Sequence, residues 1–159
     1  MKSYRPQSPL EKFIVTLVVG VYDRHETPVV YDITTLVITD PRFMMTIMNN
    51  PNEAAWVTRY GAERAVRNVL QTIRFTGGRY KGKRACLLVP VPGRKAGYMQ
   101  FTSRLTVHEL ELIRDRMGER ARALVQARNE VEGMINDLIQ AGADRLEQIY
   151  PPGDMAVGL

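Results

Sequence analysis

The sequence predicts an α+β fold, mostly α, and three observations predict it. Helix starts are spelled four times as a capping residue followed by proline, at Ser8-Pro9, Thr27-Pro28, Asp40-Pro41 and Asn50-Pro51. Proline suits the first helical position because its missing N–H would be unpaired there anyway. Apolar residues recur at helical spacing along much of the chain. Between them, "RACLLVPV" and "YMQFT" flank the turn "PGRKAG" and read as a β-hairpin.

The elements follow in order. Ser8 and Glu11 spell a capping box, as do Thr106 and Glu109, each side chain satisfying the other's backbone donor. The first helix is expected from Pro9 to about Arg24, with Leu10, Phe13, Ile14, Leu17, Val18 and Val21 on one apolar face. Pro28–Thr39 is ambiguous, since its β-branched content favours a strand while its start favours a helix. "DPRFMMTIMNN" is a short helix whose Met44, Met45 and Met48 are expected to fill gaps in the core. A helix over Pro51–Tyr60, anchored by Trp56, meets Gly61, and another resumes over Ala62–Arg74. A glycine between two short helices is the usual turn of a helix-turn-helix. In the hairpin, Pro90 and Pro92 indicate a sheet edge.

From Thr106 to about Ala141 the pattern predicts one long helix. Leu110, Met117, Leu124, Val131 and Leu138 recur every seven residues, with Ile113 and Met134 beside them. That spacing predicts a coiled-coil seam and a homodimer; the alternative is a long amphipathic helix packed on its own domain. The expected division is a nucleic-acid-binding unit over residues 1–104, a dimerisation helix over 105–150, and a flexible tail over 151–159.

Charge separates one region from the rest. The 159 residues carry a net charge of +5, yet Arg59–Lys95 holds ten basic residues and a single acid, Glu63, so the remainder sums to −4. Such concentration points to a polyanionic partner, nucleic acid first. Within it, Ala62, Val66, Val69, Leu70 and Ile73 form a side that can be buried. Arg64, Arg67, Asn68, Gln71 and Arg74 form the other, where arginine can pair guanine and Asn or Gln can pair adenine in the major groove. Glu63 sits in the first turn, where the helix dipole favours it.

The segment "YGAERAVRNVL" (Tyr60–Leu70) resembles "YGVSR-x-x-VR-x-AL", the turn and recognition helix of GntR-type bacterial regulators, through Tyr60, Gly61, Arg64, Val66, Arg67 and Leu70. Glu63 replaces the usual serine, and one residue is missing between Arg64 and Val66. With the basic hairpin that follows, the resemblance implies a winged helix-turn-helix-like domain with a long C-terminal helix.

The loop "GGRYKGKR" (Gly77–Arg84) approaches a nucleotide-binding signature, but Arg84 stands where Ser or Thr should hold magnesium. A helix precedes it and a strand follows, whereas a Walker loop needs a strand before and a helix after. It reads instead as phosphate-contacting surface. Arg79, Lys81, Lys83 and Arg84, with Arg59 at the start of the segment and Arg94 and Lys95 at the hairpin turn, would meet successive phosphates. The glycines allow close approach, and Tyr80 either stacks on a sugar or base or packs. Phosphate contacts fix position while base contacts choose sequence.

Other chemistry finds little support. A lone cysteine, Cys86, excludes an internal disulfide framework, and its apolar strand marks it as a packing residue. His25 and His108 stand in no ligand-like spacing, and no paired carboxylates or Ser/His/Asp set suggests catalysis, so no cofactor, metal or enzyme activity is expected. The longest apolar run, Phe13–Tyr22, is too short to cross a bilayer. "MKSYRPQSPLEKF" lacks the apolar core of a signal peptide, which leads to a cytoplasmic expectation. The expected function is binding of double-stranded DNA by a dimeric transcriptional regulator or repressor. The alternative is a non-enzymatic interaction factor, a phage- or plasmid-type inhibitor or assembly protein, that turns its basic segment and long helix to a protein partner. A basic hairpin also serves RNA.

Overall fold

A computed structural model of the chain describes residues 8–24, 32–118 and 125–158. Helix α1 (Pro9–Asp23) starts where Ser8 Oγ accepts the Glu11 N–H at 3.2 Å. It buries Leu10, Ile14, Val18 and Val21, with Phe13 and Leu17 half-covered beside them. The ambiguous stretch is helical over α2 (Ile33–Thr39), capped by Asp32, whose Oδ1 accepts the Thr34 N–H at 3.0 Å. The start expected at Thr27-Pro28 lies outside the described residues, as does His25.

Helix α3 (Pro41–Met48) is capped as expected by Asp40, which accepts the Arg42 N–H at 2.9 Å. Its methionines require a correction. Phe43 and Ile47, four apart, take the inward stripe, while Met44, Met45 and Met48 are 55, 61 and 77 % exposed. On a helix those three fall on the opposite side, so they cannot fill the core that Phe43 and Ile47 fill.

Helices α4 (Pro51–Tyr60) and α5 (Ala62–Leu70) join at Gly61, whose φ of +83° suits glycine. Helix α5 ends earlier than the expected Arg74. Thr72, β-branched, turns its hydroxyl onto the Val69 carbonyl at 2.6 Å, and the Ile73 carbonyl accepts the Ala85 N–H at 3.0 Å as the chain becomes extended. Strand β1 (Arg74–Phe75) follows. Strands β2 (Cys86–Val89) and β3 (Tyr98–Phe101) form the expected antiparallel hairpin, Cys86 opposite Phe101 and Val89 opposite Tyr98.

The long C-terminal helix is two helices. α6 (Val107–Gly118) opens on the expected box, Thr106 Oγ1 accepting the Glu109 N–H and Glu109 Oε1 accepting the Thr106 N–H, both at 3.2 Å. α7 (Val125–Ala141) packs back on α6, with Arg114 Nη1 3.5 Å from Glu132 Oε2. One straight helix would hold those positions about 27 Å apart. Leu110, Ile113, Val131, Met134 and Leu138 are at most 2 % exposed and share one core with α1, α5 and the hairpin. The expected dimer seam is therefore covered by its own chain. Met117 lies half-buried against the same core, and Leu124 falls outside the described residues.

The expected flexible tail is also corrected. Pro152–Met155 forms a 3-10 turn, and β4 (Val157–Gly158) pairs antiparallel with β1, burying Met155 and Val157. No helix among the described residues is long and apolar enough to cross a membrane.

Candidate nucleic-acid interface

Helix α5 has the two sides that its spacing predicted. Ala65, Val66, Val69 and Leu70 are buried, while Glu63, Arg64 and Gln71 are exposed and Arg67 and Asn68 half-buried between them. Arg64, Arg67, Asn68 and Gln71 lie three, four and seven residues along and so share one stripe. At its N-terminal end the guanidiniums of Arg59 and Arg64 lie over the Tyr60 ring, 5.3 and 5.5 Å from its centroid. Both arginines remain exposed.

Arg67 sits differently from the rest of the stripe. Its Nη2 donates to the Gly97 carbonyl at 2.9 Å and lies 3.4 Å from Glu63 and 3.9 Å from Asp32. Asp32 in turn accepts the Met99 N–H at 3.2 Å, so one carboxylate links the start of α2, strand β3 and α5. With 19 % of its side chain exposed, Arg67 fastens α5 to the loop between β2 and β3. Gly97 has no room for a side chain there, since a Cβ would lie 2.1 Å from the Val89 carbonyl oxygen.

Arg74 leaves the stripe altogether because α5 has already ended. Its Nη1 donates to the Gln71 carbonyl at 2.5 Å and closes the helix C-terminus. Burial, then the charge of Arg84, lowers its pKa.

The glycine loop divides in two. Arg79 makes two hydrogen bonds to Asp137 of α7, at 2.9 and 3.0 Å, and the Tyr80 hydroxyl donates to the same carboxylate. Those bonds raise the Arg79 pKa. Burial, reinforced by Asp137, raises the Tyr80 phenol well above its ordinary value. Tyr80 thus packs, edge-on to Tyr150. Gly78, at φ +73°, admits the C-terminal turn: a Cβ there would lie 2.3 Å from the Asp154 carbonyl oxygen. The close approach that this glycine permits is the chain's own. Lys81 and Lys83 stay exposed on this loop. Cys86 is buried, and burial pushes its thiol up to about 12.

The remaining cations converge. Arg67, Arg84, Arg94, Lys95 and Arg116 line one cavity of about 290 Å³ between α5, the hairpin and α6, together with Gln71. Among the described residues no carboxylate lines it, while Asp32 and Glu63 line the adjoining cavity that shares Arg67, Arg94 and Lys95. Arg116 carries no local signal in the sequence, because only the folding-back of α6 and α7 onto the hairpin brings it here. Tyr98 of the hairpin is tied to α6 by donating to Glu109. Comparison with protein-family models, with curated proteins and with solved structures finds no match.

Proposed function

We propose that this chain binds double-stranded DNA through the face formed by α5 and the loop between β2 and β3, in the manner of a winged helix-turn-helix regulator or repressor. One observation carries the reading: the polar stripe of α5 lies open beside a loop that presents Arg94 and Lys95, with Arg67 holding the two together. A helix with groups able to read bases thus adjoins a hairpin turn with groups able to grip phosphate, the division that DNA recognition needs. Arg64, Asn68 and Gln71 take the base edges. Arg94, Lys95, Arg84 and Arg59 take phosphates, and exposed Lys81 and Lys83 add attraction at longer range. Arg67 positions the loop, and Arg74 and Arg79 serve the fold.

The test is fluorescence anisotropy of a duplex across a salt series. Four to eight phosphate contacts give a log–log slope of about −4 to −7. Arg64→Glu should weaken binding to a selected site by about 5- to 150-fold, the range of one base contact. Its melting temperature should stay unchanged, since Arg64 is exposed on the Tyr60 ring.

A second reading, a protein-interaction factor, is favoured by the exposed methionines of α3, since thioethers make adaptable contact surfaces. Absence of duplex binding at low salt, together with an assembly that Met45→Glu and Met48→Glu dissolve in sedimentation, would select it. A dimer of either kind needs a surface other than the buried seam of α6 and α7.

A further inference from the structure

We infer that the cavity between α5, the hairpin and α6 is a binding site for a small amphiphilic phosphate, a phosphate monoester on an apolar body about the size of one ring. The inference goes beyond DNA binding and stands without it. The cations are the first argument. Among the described residues, no ion pair engages the side chain of Arg84, Arg94, Lys95 or Arg116, although all four line the cavity. Arg67, on the same wall, has its Nε buried without a hydrogen-bond acceptor. Like charges gathered around a cavity repel one another until an anion enters, and a buried donor lacks what an anion supplies. A dianionic head answers this set better than a single carboxylate.

The apolar lining is the second argument. Strand β2 buries Cys86, Leu87 and Val89 but leaves Leu88 37 % exposed, and Leu88 lines the cavity with Val91 and Met117. A ligand with a ring covers this leucine while its phosphate sits among the cations. The cavity, about 290 Å³, has room for a phosphate with one ring beside it. Pockets that combine apolar walls with a few convergent polar groups are where small molecules bind.

Isothermal titration calorimetry of the full chain with phenyl phosphate, inorganic phosphate and benzoate tests this. Phenyl phosphate should saturate one site at least about tenfold more tightly than either of the others. Arg116→Gln and Lys95→Gln should each weaken it by about tenfold or more, as expected for loss of a charge-assisted contact. Lys12→Gln, exposed on α1 and off the cavity, should bind as the unaltered chain does. Thermal unfolding confirms that each variant is folded, and Arg94→Gln, on an exposed loop, stands in for either that is not. Equal affinity for phenyl phosphate and inorganic phosphate, no saturable binding, or cavity variants that bind unchanged would overturn the assignment.

Discussion

Two apolar helix faces in this protein meet opposite fates. The seam of α6 and α7, which repeats every seven residues as a partner-seeking surface does, is sealed inside the chain. The methionine side of α3, which looks like core filler, stands in solvent. Periodicity establishes that a face is apolar but not what covers it. The cover depends on where the chain turns back. For α3, two larger residues had already filled the inward stripe.

Leu138→Ala should separate the two faces most. A wholly buried leucine should cost about 2–5 kcal/mol in urea unfolding, whereas Met48→Ala should stay within about 0.5 kcal/mol. Were the seam instead shared between two copies, the unfolding midpoint would rise with protein concentration. A midpoint independent of concentration, with a large loss for Leu138→Ala, keeps the seam within one chain.

What could be read from sequence, and what could not, follows the same line. Caps at Ser8, Asp40 and Thr106 were legible because each bond spans only a few residues. The two sides of α5 were legible because helical spacing is local. The site was half legible. That Arg67 would be taken by a carbonyl thirty residues on, and that Arg116 would join Arg84 and Lys95, depends on contacts distant in sequence.

The join between α7 and the glycine loop sharpens the contrast further. Asp137→Ala leaves the Tyr80 hydroxyl buried without its acceptor, which should cost about 1–3 kcal/mol in the same unfolding measurement. Under the phosphate-surface reading of that loop, Asp137 would instead mask Arg79, and its removal would strengthen duplex binding without loss of stability.

Alkaline pH probes the interior beside the seam. The Cys86 thiol is raised to about 12 by burial and the Tyr80 phenol is raised as well, so both keep their protons in the folded chain after the unfolded chain has lost them. Stability should be complete below the ordinary thiol pKa of about 8.5. It should then fall by up to about 1.4 kcal/mol per pH unit for each group as pH rises toward the folded values. Cys86→Ala should remove the part that begins near the thiol's ordinary pKa.

The smallest effect separates two helix starts that look alike in sequence. Thr106 caps α6, the helix that closes the buried seam, and its side chain both accepts the Glu109 N–H and pairs with the Glu109 carboxylate. Asn50 precedes α4 but makes no capping bond; its Nδ2 donates backward to the Thr46 carbonyl at 2.7 Å, on the helix that bears the exposed methionines. Thr106→Ala should therefore cost about 1 kcal/mol, the usual loss of a cap, and Asn50→Ala clearly less. Equal losses in urea unfolding would mean that Asn50 caps α4 in solution, and that the α3–α4 corner is fixed by the same local bonds as α6.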